Sequence, residues 1–226
     1  MKLLIAIPAF NEEKMIGEVI KNIPSRIPPF NKRDILVIND GSTDSTADIA
    51  RSYEARVVEH LLNRGLGASL KTALEYALNN KYDALITIDA DGQHETKSIP
   101  VLVKKMIKEK ADIVVGSRWL VQGNAPLIRI IINKLANLLT FFFYGINTSD
   151  SQSGYRLFGP KALKLLKLQS EGMEVSSEIF REIARSRLKY AEIPIKVIYT
   201  RYSQSKGQKI SNAPLIIWHL FMRLFK

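Results

Sequence analysis

The sequence predicts an α/β domain whose mostly parallel sheet is flanked by helices. Two observations carry this. Short, uninterrupted apolar runs alternate with longer stretches of helical periodicity, and apolar runs without polar alternation belong to strands buried on both faces. Each long run also ends in a polar cluster, and open α/β sheets bind ligands beyond the carboxyl ends of their strands. The clusters are Pro8 to Glu12, Asn39 to Ser42, Asp89 to Gln93 and Gly116 to Arg118, four groups converging on one edge.

In chain order, residues 3–7 form a buried strand that Pro8 ends, and Asn11, Glu12 and Glu13 open a helix, the acids placed where its dipole favours them. Residues 35–38 form a second strand, after which Ser42 or Thr43 caps a helix. A short strand near Arg56 to Val58 leads into Asn63-Arg-Gly-Leu-Gly-Ala68, a glycine-rich turn entering a helix that reaches Asn79. Residues 85–88 form the next strand, 97–109 a Lys-rich amphipathic helix, and 113–115 a strand ending at Gly116-Ser-Arg118. Beyond it, a long helix covers 125–144, a loop 147–154, helices 160–168 and 175–188, and a strand 190–199. Tyr155-Arg-Leu-Phe158 reads as a strand with one buried face.

The chain has 226 residues, enough for one large domain, and 46% of them are hydrophobic. Residues 1–212 read as that domain, with 213–226 a C-terminal amphipathic helix. There is no cysteine, which excludes disulfides and thiolate metal sites. With 33 Lys and Arg against 22 Asp and Glu, the net charge of +11 suggests an anionic partner: nucleic acid, anionic lipid or a phosphorylated substrate. The amino terminus is too short for a signal peptide's apolar region, and no apolar stretch approaches the ~20 residues of a spanning helix.

The chemistry centres on Leu85-Ile-Thr-Ile-Asp-Ala-Asp-Gly-Gln-His94. On a continuing strand Asp89 and Asp91 would point the same way, with the small Ala90 opposite. Two carboxylates with an amide at Gln93 make an oxygen-rich pocket suited to a hard divalent cation, and Mg²⁺ takes one or two carboxylates and completes its shell with water and phosphates. The plain alternative is an Asx turn after a strand. His94 receives no role. The chain lacks both Gly-x-Gly-x-x-Gly after its first strand and Gly-x-x-x-x-Gly-Lys-Ser/Thr, which argues against a dinucleotide fold and P-loop chemistry.

Pro8-Ala-Phe-Asn-Glu-Glu, Val37-Ile-Asn-Asp-Gly-Ser-Thr-Asp, Asp89-Ala-Asp-Gly-Gln-His and Gly116-Ser-Arg resemble the family 2 glycosyltransferases, in their polyprenyl-phosphate branch. Asp150-Ser-Gln-Ser-Gly-Tyr-Arg and Tyr199-Thr-Arg-Tyr-Ser-Gln-Ser-Lys resemble that branch's later motifs, so the likeness covers residues 2–206. It implies a GT-A, Rossmann-like fold with interfacial amphipathic helices in the second half. It also implies an inverting transfer of a hexose from a GDP-mannose or UDP-glucose type of donor to a polyprenyl (dolichyl) phosphate, with Mg²⁺ or Mn²⁺ as cofactor. By the same resemblance Asp89, Asp91 and Gln93 hold the metal, and Asp89, Asp91 and Arg118 are catalytic. Pro8, Asn11, Glu12, Asp40, Lys71, Asp89, Ala90, Asp91 and Arg201 bind the nucleotide sugar, with Glu12 on ribose and Asp40 on the base. Arg118, Arg129, Asn133 and Arg201 hold the acceptor phosphate, with Ser153, Tyr155 and Arg156 shaping its site.

Each of these residues has an ordinary alternative. Glu12 balances a helix dipole, Asp40 forms an Asx turn, Lys71 is a surface lysine, and the arginines are surface or ion-paired. The apolar stretch 125–146 and the basic, acid-free tail beyond Glu192 suit a membrane surface, giving a peripheral protein at the cytoplasmic face. The plain alternative is a core helix plus a helix packed on the sheet or on a partner subunit. One rival reading is a GT-A transferase acting on a saccharide hydroxyl, with Asp150 or Glu178 as base. Another is a non-catalytic basic domain binding membrane or nucleic acid, against which the acidic strand ends argue, since they would repel a polyanion; nucleic acid is not an expected partner.

Overall fold

The computed structural model describes residues 1–120 and 127–198, with backbone alone over 127–129. Strands β1 (Lys2–Ala9), β2 (Lys32–Asp40), β3 (Arg56–His60), β4 (Ala84–Thr87), β5 (Ile113–Ser117), β6 (Arg156–Phe158) and β7 (Tyr190–Pro194) form one sheet in the order β3-β2-β1-β4-β6-β5-β7. All neighbours are parallel except β6, which runs antiparallel to both β4 and β5.

Strand alternation sends Leu3, Ile5 and Ile7 to one face and Leu4 and Ala6 to the other. The first face is covered by α1 (Ile16–Lys21), α2 (Thr46–Ser52) and α4 (Ile99–Glu109), the second by α3 (Leu66–Asn79), α6 (Pro160–Leu165) and α7 (Val175–Arg185). The prediction of a mostly parallel sheet buried on both sides holds. The remaining long helix, α5 (Leu127–Tyr144), packs against α7.

Strand β6 fixes the site's width. Because it lies between β4 and β5, the residues following those strands stand about two strand spacings, ~10 Å, apart.

Several local expectations are corrected. Pro8 does not end β1: it pairs with Ile38 of β2, while β4 pairs only as far as Ala6, so no ladder bond to β4 needs its missing N–H. Asn11 to Glu13 do not open a helix, which begins at Ile16; Asn11 sits at φ +54°, and its N–H and that of Glu12 are donated to Ser42 Oγ and Thr46 Oγ1. Neither Ser42 nor Thr43 caps α2, whose first-turn Thr46 N–H is taken by Asp44 Oδ1 at 3.0 Å. Strand β4 stops at Thr87, so Asp89 and Asp91 belong to a turn. Helix α6 stops at Leu165 and β7 at Pro194. Tyr155 to Phe158 are buried on both faces, because β6 has strands on either side and helices above and below. The predicted tail helix 213–226 lies outside the described residues.

Leu157, fully buried in β6 and paired with Ile86 and Val114, ties the two halves of the sheet. Leu157→Ala is expected to lower unfolding free energy by about 2–4 kcal/mol in urea titrations.

Candidate active site

The acidic turn after β4 is held from three sides. Gly92 turns the chain at φ +72°, and Asp91 Oδ1 accepts the Gln93 N–H at 2.9 Å, an Asx turn. Asp89 Oδ2 accepts from His94 Nε2 at 2.9 Å, and the buried imidazole packs 5.3 Å from the ring of Tyr155. A Cβ on Gly154 would collide with the Asp89 carboxylate, so only glycine allows this approach.

Burial opposes ionisation of Asp89, yet the His94 hydrogen bond and the charges of His94, Arg118 and Arg156 outweigh it and hold its carboxyl below the usual range. At Asp91 burial, and then the charge of Asp89, push the carboxyl up. Each carboxylate keeps an oxygen with no protein partner among the described residues. A divalent cation fits this donor set, which offers two oxygens from a pair whose mutual repulsion it would relieve. Among the described residues no cluster of three or more His, Asp and Glu could serve as an all-protein metal cage.

At the end of β2, Asp40 is 4% exposed and collects three donors: His60 Nδ1 at 2.6 Å, the Arg64 N–H at 3.0 Å and the Gly65 N–H at 2.7 Å. His60 Nε2 in turn meets Thr72 Oγ1 at 2.9 Å. Asp40 thereby ties the loop after β3 to the end of β2, and Gly41, at φ +72°, allows the Leu62–Asn63 backbone to approach. Asn11 Oδ1 accepts the Thr43 N–H, binding the β1 and β2 clusters together. Glu12 is buried, and Ala90 is buried between the two acids. Lys71 is held 3.4 Å from the Gln169 carbonyl and 3.6 Å from Glu171.

Just beyond β5, Arg118 grips Asp150 through Nε and Nη2 at 2.7 and 2.8 Å, and its backbone N–H reaches the same carboxylate at 3.0 Å. Asn133 and Asn137 of α5 both donate to the Ser149 carbonyl, at 2.9 and 2.7 Å, steadying the loop that carries Asp150. Glu192 accepts from Ser149 N–H and from Thr148 and Tyr190 hydroxyls beneath it. Ser153 donates to the Gly116 carbonyl at 2.6 Å, and Tyr155 and Arg156 lie beneath the surface. The Ile195 N–H bonds Ser117 O and the Ile198 N–H bonds Gln93 O, both at 2.9 Å, so the chain crosses from β5 to the acidic turn. The Arg129 side chain and Arg201 lie outside the described residues.

Asp89, Asp91, Gln93 and Arg118 are thus brought together, the charge of Arg118 acting on both acids. Asp40, at the end of β2, stands across β1 from them, and the Asn11–Glu12 turn follows β1 itself. Sequence reasoning missed His60, the pinning role of His94, the Arg118–Asp150 clamp and Glu192. His94, Arg118 and Asp150 lay in motifs that could have flagged them; His60 and Glu192 lay in none.

Residues 4–166 match the family model described as Glycosyl transferase family 2. The chain belongs to that family. As a family 2 member it is a glycosyltransferase. A UDP-N-acetylglucosamine–dolichyl-phosphate N-acetylglucosaminyltransferase of Methanococcus voltae is 32% identical over 97% of this chain and 95% of its own. An undecaprenyl-phosphate mannosyltransferase of Micrococcus luteus is 29% identical over 91% of this chain and 87% of its own. An uncharacterized protein of Methanocaldococcus jannaschii is 40% identical over 98% of this chain and 92% of its own. Among solved structures, glucosyl-3-phosphoglycerate synthase from Mycobacterium tuberculosis, in complex with Mn²⁺, UDP-glucose and phosphoglyceric acid, superposes with a TM-score of 0.71 at 21% identity, covering 98% of this chain and 79% of that one. The likeness shows the GT-A fold of this glycosyltransferase.

Removing the Asp40 carboxylate takes that acceptor from the buried His60 ring and from the Arg64 and Gly65 amides. Asp40→Ala is expected to cost about 1–3 kcal/mol in urea unfolding and to speed amide exchange at Arg64 and Gly65. Unchanged exchange there would contradict the pinning role.

Proposed function

We propose that the glycosyltransferase moves a hexose from a nucleotide diphosphate sugar, of the GDP-mannose or UDP-glucose type, to a polyprenyl phosphate. The observation that carries the acceptor's class is the state of Asp150 and Glu178, the carboxylates a hydroxyl acceptor would call on as base. Asp150 is fully buried and clamped by Arg118; Glu178 is 4% exposed and accepts the Gln169 and Ser170 N–H groups and Arg181. Both are spent. A phosphate monoester is already ionised and needs only to be held in line with the anomeric carbon. The two named relatives that act on polyprenyl phosphates over nearly the whole chain support the same reading.

One phosphate oxygen forms the new bond to the anomeric carbon. The bond from that carbon to the nucleoside diphosphate breaks, its electron pair leaves with the diphosphate, and the centre inverts. No proton moves. A cation at Asp89, Asp91 and Gln93 would supply Lewis-acid stabilisation of the leaving diphosphate. Arg118, with a quarter of its side chain exposed and its orientation set by Asp150, presents a planar cation toward the acceptor phosphate. Pro8, Asn11, Glu12, Asp40, Ala90 and Lys71 form the donor side, and Arg129, Asn133 and Arg201 are assigned to the acceptor, Asn133 through the loop it holds.

Helix α5 is amphipathic in an unusual sense. Its polar Asn133 and Thr140 are buried, while Ile131, Leu138, Phe141 and Phe142 are more than half exposed. An apolar face turned outward beside the acceptor loop suits the membrane surface where a polyprenyl lipid resides. The absence of acids over 121–149 favours anionic headgroups. No helix among the described residues is long and apolar enough to cross a membrane.

Chelation by EDTA is expected to abolish transfer of radiolabelled sugar to a short polyprenyl phosphate, and Mg²⁺ or Mn²⁺ to restore it. Asp91→Ala is expected to lower kcat/KM at least ~100-fold, and full activity in EDTA would overturn the metal assignment. Leu138→Glu with Phe142→Glu is expected to reduce sedimentation with anionic phospholipid vesicles several-fold while sparing transfer to a water-soluble acceptor. Unchanged sedimentation would remove α5 from the membrane contact.

A further inference from the structure

Arg156 is the bulkiest side chain buried below 2% exposure among the described residues. It opens β6. Because β6 runs against its neighbours, its first residue lies at the carboxyl edge of β4 and β5, in register with Thr87 and Val115, just before Asp89 and Arg118. Its Nη2 donates to the Ser151 carbonyl at 3.3 Å, and its Nε–H has no partner among the described residues. A buried guanidinium with so few hydrogen bonds persists only where opposite charge surrounds it. Burial pushes its pKa down to about 10, and the carboxylates that most oppose this are Asp89 and Asp150. Asp89 is held on its other side by His94, and Asp150 by Arg118. Four side chains thus alternate in sign across the edge, Asp89, Arg156, Asp150 and Arg118, with the His94 ring hydrogen-bonded to Asp89 at one end.

We propose that Arg156 is a positioning residue that couples the two halves of the reaction centre, its buried charge shared between the donor-side carboxylate Asp89 and the acceptor-side Asp150–Arg118 clamp. It touches neither substrate. The proposal rests on the reading of the Asp89 corner as a cation site and of Arg118 as the acceptor's cation. If Asp150 loses its charge, Arg156 turns wholly to Asp89 and competes with the cation there. A change made on the acceptor side is therefore felt on the donor side through this one guanidinium.

The test is a double-mutant cycle read by Mn²⁺ binding, measured by electron paramagnetic resonance with UDP or GDP, whichever the wild-type protein binds. Asp150→Asn, which alters no proposed metal ligand, is expected to weaken Mn²⁺ binding about tenfold, the scale of losses from outer-shell changes. In Arg156→Met the same substitution is expected to change it less than about twofold, and in Arg156→Lys, which keeps the charge, most of the effect should return. Equal weakening in wild type and Arg156→Met, or none in wild type and Arg156→Lys, overturns the coupling. The second comparison stands even if Arg156→Met does not fold. A wild-type protein whose Mn²⁺ binding is indifferent to Asp91→Ala instead overturns the reading of the corner itself, independently of Arg156.

Discussion

Negative charge gathered at the carboxyl edge of a parallel sheet is the constraint on which the rest of the structure depends. Asp40, Asp89, Asp91 and Asp150 all stand at or beside that edge, Asp40 and Asp150 buried and Asp89 and Asp91 partly so, and an uncompensated carboxylate taken out of water is costly. The fold answers three of them with its own cationic or ring nitrogen partners. Asp40 has His60 and two loop amides, Asp89 has His94, and Asp150 has both arms of Arg118. Asp91 has only the Gln93 amide among the described residues, and burial, then the charge of Asp89, push its carboxyl up. The position the protein leaves least compensated is the one the sequence marks for a cation.

Compensation also shapes the architecture. The glycine at 154 lets the loop close on Asp89, and the reversed strand β6 carries Arg156 into the same edge from within the sheet. A uniformly parallel sheet would place the start of such a strand at the opposite edge, away from the acids. The antiparallel insertion therefore does two things: it separates the ends of β4 and β5, and it delivers a buried positive charge between them.

Much of this was legible in the sequence, and the reasons are local. The runs 3–7, 35–38, 85–88 and 113–115 are strands because continuous apolar stretches have few other places to go, and their polar ends mark the site for the same reason. What stayed hidden depended on long-range partners. Asp40 as the anchor of the loop after β3 requires His60, twenty residues on, and a lone histidine in a strand carries no sign of its partner. Arg118 was legible as a cation but not as one already oriented by Asp150, because a bidentate pair separated by 32 positions leaves no periodic trace. The helix expected at Asn11 failed because Ser42 and Thr46 compete for the same backbone amides. The outward apolar face of α5 could be read as alternation, but which face turned inward depended on Ser149.

The most direct test of the proposed account is an anomalous difference map from crystals grown with Mn²⁺ and a nucleotide sugar. The account predicts one Mn²⁺ peak bridging the Asp91 carboxylate and the donor's diphosphate, with Asp89 facing it and Arg118 on the far side of the sugar. A peak elsewhere, or an acidic turn with both carboxylates folded back onto protein groups while the nucleotide sugar is bound, would contradict it.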